Sequence, residues 1–314
     1  MTTAYAPGKV ILFGEHAVVY GRPAIAVPVT QVRACAVVED GLPGQGVIIR
    51  ALDLHLRHRV GDPLSAESPA YPLEATVRNT LRWLGTKALP DLTLTLSSTV
   101  PLASGMGSGA AIATATVRGL AQHLGQPLSP SEISELVYQT EVIHHGTPSG
   151  IDNTVIAFEQ PVSFVRGQPI EALRVGRPFW LVIGDTGSRS PTKDVVGDVR
   201  RAWQAEPDKY EALFDRIGSV ATRARKALER GKSSALGKLM DENQYLLEAI
   251  GVSSLQLEAL IHAARAAGAM GAKLCGAGRG GNMIALVSPQ KAQSVAAAVR
   301  QAGAVRVIVS EVGC

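Results

Sequence analysis

The sequence predicts an α/β protein of two domains, and three observations carry that expectation. Strand-like and helix-like stretches alternate along the chain. A glycine-rich turn joins a strand to a helix around residue 105. A break at Arg177-Pro178 divides the 314 residues into segments 1–178 and 179–314, each of ordinary domain size. With 46% hydrophobic and 18% charged residues, the composition is that of a globular chain that buries a core.

The elements follow in order. Lys9 to Phe13 reads as a short apolar strand running into Gly14-Glu15-His16. Residues 23–60 are β-rich, with a turn at Asp40-Gly41-Leu42-Pro43-Gly44. Leu92-Thr93-Leu94-Thr95-Leu96 alternates with period two, the mark of a strand with one buried face. After the glycine-rich loop Pro101–Gly109, the residues Ala113, Val117, Leu120, Ala121 and Leu124 recur at helical spacing. Ser129-Pro130-Ser131-Glu132 is a helix start: Ser129 caps, Pro130 suits the first turn and Glu132 closes a capping box. That helix is predicted to run to about His145 and to stop at Gly146, with Pro148 beyond. A short β-region is expected around Thr154–Val165. Beyond the boundary come a strand at 180–183, a polar loop at 185–192 and helices over 193–268. The chain then ends as strand 271–275, glycine loop, strand 282–287, a helix from Ser288-Pro289, and strand 305–309.

Charge and cysteine usage exclude several classes. A formal charge of +4 is mild for this length, and no stripe of Lys and Arg interleaved with aromatics marks a nucleic-acid binder. Cys35, Cys275 and Cys314 are distant and odd in number, so neither a disulfide framework nor a CxxC metal pair is expected. The amino terminus lacks the basic start and apolar run of a secretory leader, and no stretch approaches the ~18 apolar residues of a membrane span. The expected compartment is the reducing cytoplasm.

Three features carry chemistry. In Ala103-Ser104-Gly105-Met106-Gly107-Ser108-Gly109, small residues let backbone N–H groups turn inward, and the helix that follows adds unpaired donors and a positive dipole end. An anion such as phosphate suits that place; the plainer alternative is a structural strand–helix turn. The GxxxxGK[ST] pattern of the common phosphate loop is absent. Glu141 falls on the inward stripe Ile133, Leu136, Val137, Thr140, where a carboxylate must be paired, protonated or bound to a cation. It snorkels or pairs with an arginine, or it holds Mg²⁺, which takes hard oxygen ligands and bridges to nucleotide phosphates. Asp152 follows the turn Thr147-Pro148-Ser149-Gly150 and is either a turn-forming residue or a carboxylate that accepts the proton of an attacking hydroxyl. His144 and His145 are adjacent on a helix and point about 100° apart, so they do not converge on one metal ion.

Together these segments resemble the GHMP kinase superfamily. Three motifs stand in that family's order: Ala6 to Gly21, reading APGKVILFGEHAVVYG; Pro101 to Ala111; and Lys273 to Gly281, reading KLCGAGRGG. Within the superfamily the opening motif, the stretch His145 to Asn153 (HGTPSGIDN) and Ser190-Pro191-Thr192-Lys193 are similar to the mevalonate kinase family. The resemblance implies a ribosomal S5-like amino-terminal domain and a ferredoxin-like carboxy-terminal one, ATP as co-substrate with Mg²⁺, and mevalonate as phosphoryl acceptor in isoprenoid precursor synthesis. It implies that Lys9 and Asp152 are catalytic, and that Glu15, His16 and Thr192 line the acceptor pocket. Pro101, Ala103, Ser104, Gly105, Met106, Gly107, Ser108, Gly109 and Ala110 would wrap the triphosphate with Gly276 and Gly278, and Glu141 and Ser108 would hold the metal. The implied partners are these small molecules, with a homodimer left open and neither nucleic acid nor membrane.

Two residues depart from the family pattern. Gly109 stands where a second serine is usual, so either Ser108 serves alone or the metal takes an extra water. Arg279 stands where glycine is usual, and it either points to solvent or touches an anionic ligand. The competing readings are a phosphomevalonate or other small-alcohol kinase, a related decarboxylase, and a non-catalytic sensor of ATP and ligand.

Overall fold

The fold is taken from a computed structural model that describes residues 1–101, 104–145, 149–188 and 190–313, the side chains of residues 144 and 145 excepted. The chain resolves into two compact units. The first comprises Met1–Gly8, Val32–Pro101 and Gly107–Glu159; the second comprises Lys9–Gln31, Leu102–Met106 and Gln160–Cys314. Strands β1 (Thr2–Phe13) and β2 (Ala24–Asp40) each give residues to both.

In the first unit, β3 (Val47–Ala51), β4 (Leu56–Arg59) and β5 (Leu92–Ser98) join the second half of β2 in the order β4-β3-β5-β2. β3 runs parallel to β5, with Ile49 opposite Leu94, and β2 runs antiparallel to β5, with Ala36 opposite Leu96. The buried face is the apolar half of each alternating strand: Val38, Ile49, Leu94 and Leu96 are all closed to solvent. Four helices accompany this sheet: α1 (Ala70–Trp83), α2 (Ser108–His123), α3 (Pro130–His145) and α4 (Ile151–Phe158). The capping box forms as the sequence predicts. Ser129 N and Oγ donate to Glu132 Oε2 at 2.8 and 2.6 Å, and Glu132 N donates back to Ser129 Oγ at 3.3 Å.

Two elements differ from the sequence reading. α1 is an additional helix, with Pro69 at its N-cap position and Ser68 Oγ just ahead of it accepting from Ala70 N. The segment expected to be β from Thr154 onward is helical through Phe158, and only Val162–Phe164 (β6) is strand. Thr154, Val155 and Ile156 carry β-branched propensity, but Gly150 at φ +86° turns the chain into a helix that buries Ile151, Val155 and Ile156 against α2 and α3.

In the second unit, β8 (Phe179–Asp185), β9 (Gly271–Cys275), β10 (Asn282–Val287) and β11 (Arg306–Val312) form an antiparallel sheet ordered β11-β8-β10-β9, the ferredoxin-like order. Its helices are α5 (Thr192–Ala205), α6 (Pro207–Glu229), α7 (Ser233–Ala249), α8 (Leu255–Ala266) and α9 (Ala292–Gln301). β6 continues this unit by pairing with residues 24–26 of β2 and with β7 (Glu171–Ala172). α7 lies so close on the β9 edge that a Cβ at Gly271 would sit 2.0 Å from the carbonyl oxygen of Gly237, which is why both positions are glycine. No helix among the described residues is long and apolar enough to cross a membrane.

Candidate active site

The second unit gathers backbone from all three motifs. Lys9, buried on β1, donates its amide to the carbonyl of Met106 at 3.0 Å. Ser104, also buried, has its carbonyl held by Asn282 Nδ2 at 2.7 Å, from the first residue of β10. Cys275 Sγ donates to the carbonyl of Ile11 at 3.3 Å, and His16 Nε2 donates to the carbonyl of Ala277 at 2.8 Å. The end of β1, residues 104–106 and the loop between β9 and β10 are therefore fixed to one another by groups up to 264 residues apart.

The β9–β10 loop is built for close backbone approach. Gly276, Gly278, Gly280 and Gly281 have positive φ, and so does Arg279, at +54°. Arg279 N donates to the carbonyl of Val252 at 2.7 Å, and Ser190 Oγ donates to the Arg279 carbonyl at 2.9 Å. The guanidinium of Arg279 is bonded to Asp198 on α5 and reaches the Gly251 carbonyl at 3.3 Å. Of the two sequence alternatives for Arg279, solvent or an anionic ligand, the structure gives a third: a partly exposed ion pair to a carboxylate of its own chain. Thr192 opens α5 and is exposed, two residues past Ser190.

The charges of this region are deeply buried. Glu15 and Lys273 form an ion pair in which neither side chain is exposed. Burial pushes the Glu15 carboxyl up, and the Lys273 ammonium holds it back. Burial lowers His16 to about 4; its bond to Ala277 opposes this and the nearby Arg279 charge adds to it, so the imidazole is neutral at pH 7. The Cys275 thiol is pushed up to about 11, first by burial and then by Glu15, with Lys273 and Lys9 acting the other way. A thiol so protonated is a packing group and not a nucleophile.

The first unit holds the other expected residues at helix ends. Gly107, at φ +73°, caps α2, and Ser108, Gly109 and Ala110 form its first turn, with no side-chain cap. The first-turn N–H groups of such a helix suit an anion. Glu141 is buried near the carboxyl end of α3, next to Thr140, whose hydroxyl meets that of Thr76 on α1 at 2.8 Å. Asp152 is half-buried in the first turn of α4, where the helix dipole favours a carboxylate. Its neighbour Asn153 donates to Ser134 O and Oγ at 3.0 and 2.9 Å, which fixes α4 on α3. Ala103, Gly146, Thr147 and Pro148 lie outside the described residues.

The metal ligands that the family resemblance implies are a carboxylate and a hydroxyl, Glu141 and Ser108. Among the described residues no group of three or more His, Cys, Asp or Glu is arranged to hold a metal ion. That sparse, all-oxygen set fits Mg²⁺, which keeps several waters and relies on one or two carboxylates with substrate phosphates, and it does not fit a closed zinc site. Lys273, Asn282 and Asp198 were missed as site residues. Lys273 had a signal: a lysine inside the wholly buried strand Gly271–Cys275 must have a carboxylate partner.

The fold and these motifs define a small-molecule phosphotransferase. Residues 73–160 match the GHMP kinases N terminal domain and residues 224–305 the GHMP kinases C terminal domain. The chain is 37% identical to a mevalonate kinase of Pyrococcus furiosus, over 96% of this chain and 93% of that one. It superposes with a TM-score of 0.85 and 28% identity on L. major mevalonate kinase in complex with R-mevalonate, covering 99% of this chain and 96% of that one. A phosphomevalonate kinase of Streptococcus pneumoniae shares the fold, with a TM-score of 0.81 over 98% of this chain and 100% of that one, at 15% identity. The chain belongs to the GHMP kinases and, within them, to the mevalonate kinase family.

Proposed function

We propose that this protein phosphorylates mevalonate with ATP, giving 5-phosphomevalonate and ADP in isoprenoid precursor synthesis. One observation carries the reading: the 37% identity to a mevalonate kinase that runs through nearly the whole of both chains. Fold alone does not select the acceptor, since a phosphomevalonate kinase has the same fold.

In this reading Asp152 accepts the proton of the acceptor hydroxyl as its oxygen bonds to the terminal phosphorus of ATP and the bond to the ADP oxygen breaks. Phosphoryl transfer proceeds through a loose transition state and needs positioning and charge neutralisation more than a strong base. Lys9 supplies a positive charge that offsets the negative charge of the transferring phosphoryl group. Ser104 to Ala110, Gly276 and Gly278 present backbone N–H groups to the triphosphate, Pro101 (which has no N–H to give) and Ala103 belong to the loop that wraps it, and His16 and Thr192 face the acceptor. Glu141 and Ser108 would hold Mg²⁺, which would supply neutralisation of phosphate charge when bound. The reducing cytoplasm is the proposed compartment, in keeping with the free thiols of Cys35 and Cys275.

The test is ADP release measured over mevalonate, phosphomevalonate, homoserine and galactose. Turnover with mevalonate well above the other three is the expected result. Turnover confined to another acceptor sinks the substrate assignment, and none with any acceptor sinks the kinase.

A further inference from the structure

Glu15 and Lys273 are 258 residues apart, and both side chains are closed to solvent. A buried pair of this kind is a weak source of stability, because desolvating two charges offsets much of their attraction and well-packed apolar residues often serve as well. What it supplies instead is a defined geometry, since both partners lose most if either moves. Here the geometry lies between the turn after β1 and the strand that feeds the β9–β10 glycine loop. Lys273 Nζ also donates to the carbonyl of Leu274 at 2.6 Å, so the ammonium grips the backbone just ahead of that loop. The neighbouring links, His16 to Ala277 and Cys275 to Ile11, hold the same two segments together. Glu15 is 1% exposed, and its second oxygen is buried as well. Such a side chain presents no surface to a substrate. The charges of Lys9, Lys273 and Glu15 all act on the Cys275 thiol.

We propose that Glu15 and Lys273 are positioning residues for phosphoryl transfer, a buried strut that pins the loop 276–281 to the turn 14–16 and touches neither substrate. The inference rests on the kinase reading above and gives Glu15 a place behind the acceptor pocket instead of on its wall.

The experiment compares wild type, Glu15→Gln, Lys273→Met and the double variant Glu15→Leu/Lys273→Met. It measures the melting temperature, kcat, KM for mevalonate, and affinity for a fluorescent ATP analogue. Each single variant strands a buried group and is expected to be unstable. The double variant removes both charges, so it is expected to fold with a melting temperature near wild type. Its kcat and nucleotide affinity should each fall about tenfold, while KM for mevalonate stays within about threefold. A double variant with wild-type kcat and nucleotide affinity would make the pair a stability element only and overturn the proposal, as would one that does not fold. The proposal also fails if Glu15→Gln raises KM for mevalonate about tenfold at unchanged kcat, the behaviour of a direct ligand. Wild type without turnover on any acceptor would sink the kinase reading separately, and nucleotide affinity in the double variant would still decide the strut.

Discussion

His16 donates its Nε2 hydrogen to the carbonyl oxygen of Ala277 across 2.8 Å, joining residues 261 apart in the chain. Because a carbonyl only accepts, this bond selects the Nε2–H form of the ring. Burial lowers the pKa from 6.5 to about 4. The unfolded chain therefore binds a proton between those values that the native one refuses, and stability is lost as pH falls from about 6.5 toward 4. At pH 5 the loss from this one group is about 2 kcal/mol relative to pH 7. His16→Gln keeps an N–H donor without the titration, so its urea-unfolding free energy should drop less than wild type between pH 7 and pH 5, by about that amount. Equal drops in the two proteins would place the acid sensitivity elsewhere.

Asp152 tests the chemistry. Asp152→Asn preserves size and leaves the Asn153–Ser134 bonds that seat α4 on α3. The variant should fold normally, bind both substrates, and lose at least about a hundredfold in kcat, the lower end expected of a proton-accepting group. Near-normal turnover would leave Asp152 as a helix-start residue only.

Glu141→Gln addresses the metal. An amide keeps the volume and a carbonyl oxygen but gives up the charge, in a position closed to solvent on α3. The concentration of Mg²⁺ giving half-maximal rate should rise about tenfold or more, a typical scale for a damaged metal site. The rate at saturating Mg²⁺ should recover at least in part. A titration that superimposes on wild type would return Glu141 to the role of a buried structural carboxylate.

How much of this was legible depended on how local each cause is. The capping box at Ser129 and Glu132 is written within four residues and forms as read. The burial of Glu141 followed from its place on a helical stripe, and a helix was expected after the loop Pro101–Gly109, although it already begins at Ser108. α4 was misread because Thr154, Val155 and Ile156 favour strands locally, whereas the deciding terms, Gly150 at positive φ and packing against α2 and α3, are not visible in that propensity. The pairing of Glu15 with Lys273 was beyond sequence altogether. Lys273 announced that it needed a partner, but nothing local says that the partner lies 258 residues earlier. Arg279 was the reverse: its position was conspicuous, and its partner Asp198 was not.

The glycine loop itself separates conformation from contact. Gly276 and Gly278 have nearly equal φ values, +90° and +84°, so alanine at either bears the left-handed cost of about 1–2 kcal/mol. They differ in surroundings. A Cβ at Gly276 meets nothing within 4 Å, while one at Gly278 would lie 2.0 Å from the carbonyl oxygen of Val252. That oxygen belongs to the turn between α7 and α8 and already accepts from Arg279 N, so it has little room to retreat. Gly276→Ala should therefore lower stability by about the conformational term alone. Gly278→Ala must displace the loop. It should lower stability by at least about 1 kcal/mol more, in line with overpacking at a fixed backbone, and weaken ATP binding about tenfold or more. Urea unfolding and nucleotide titration of the two variants side by side make the comparison. Equal losses would mean that the seat on Val252 carries no weight in holding the loop.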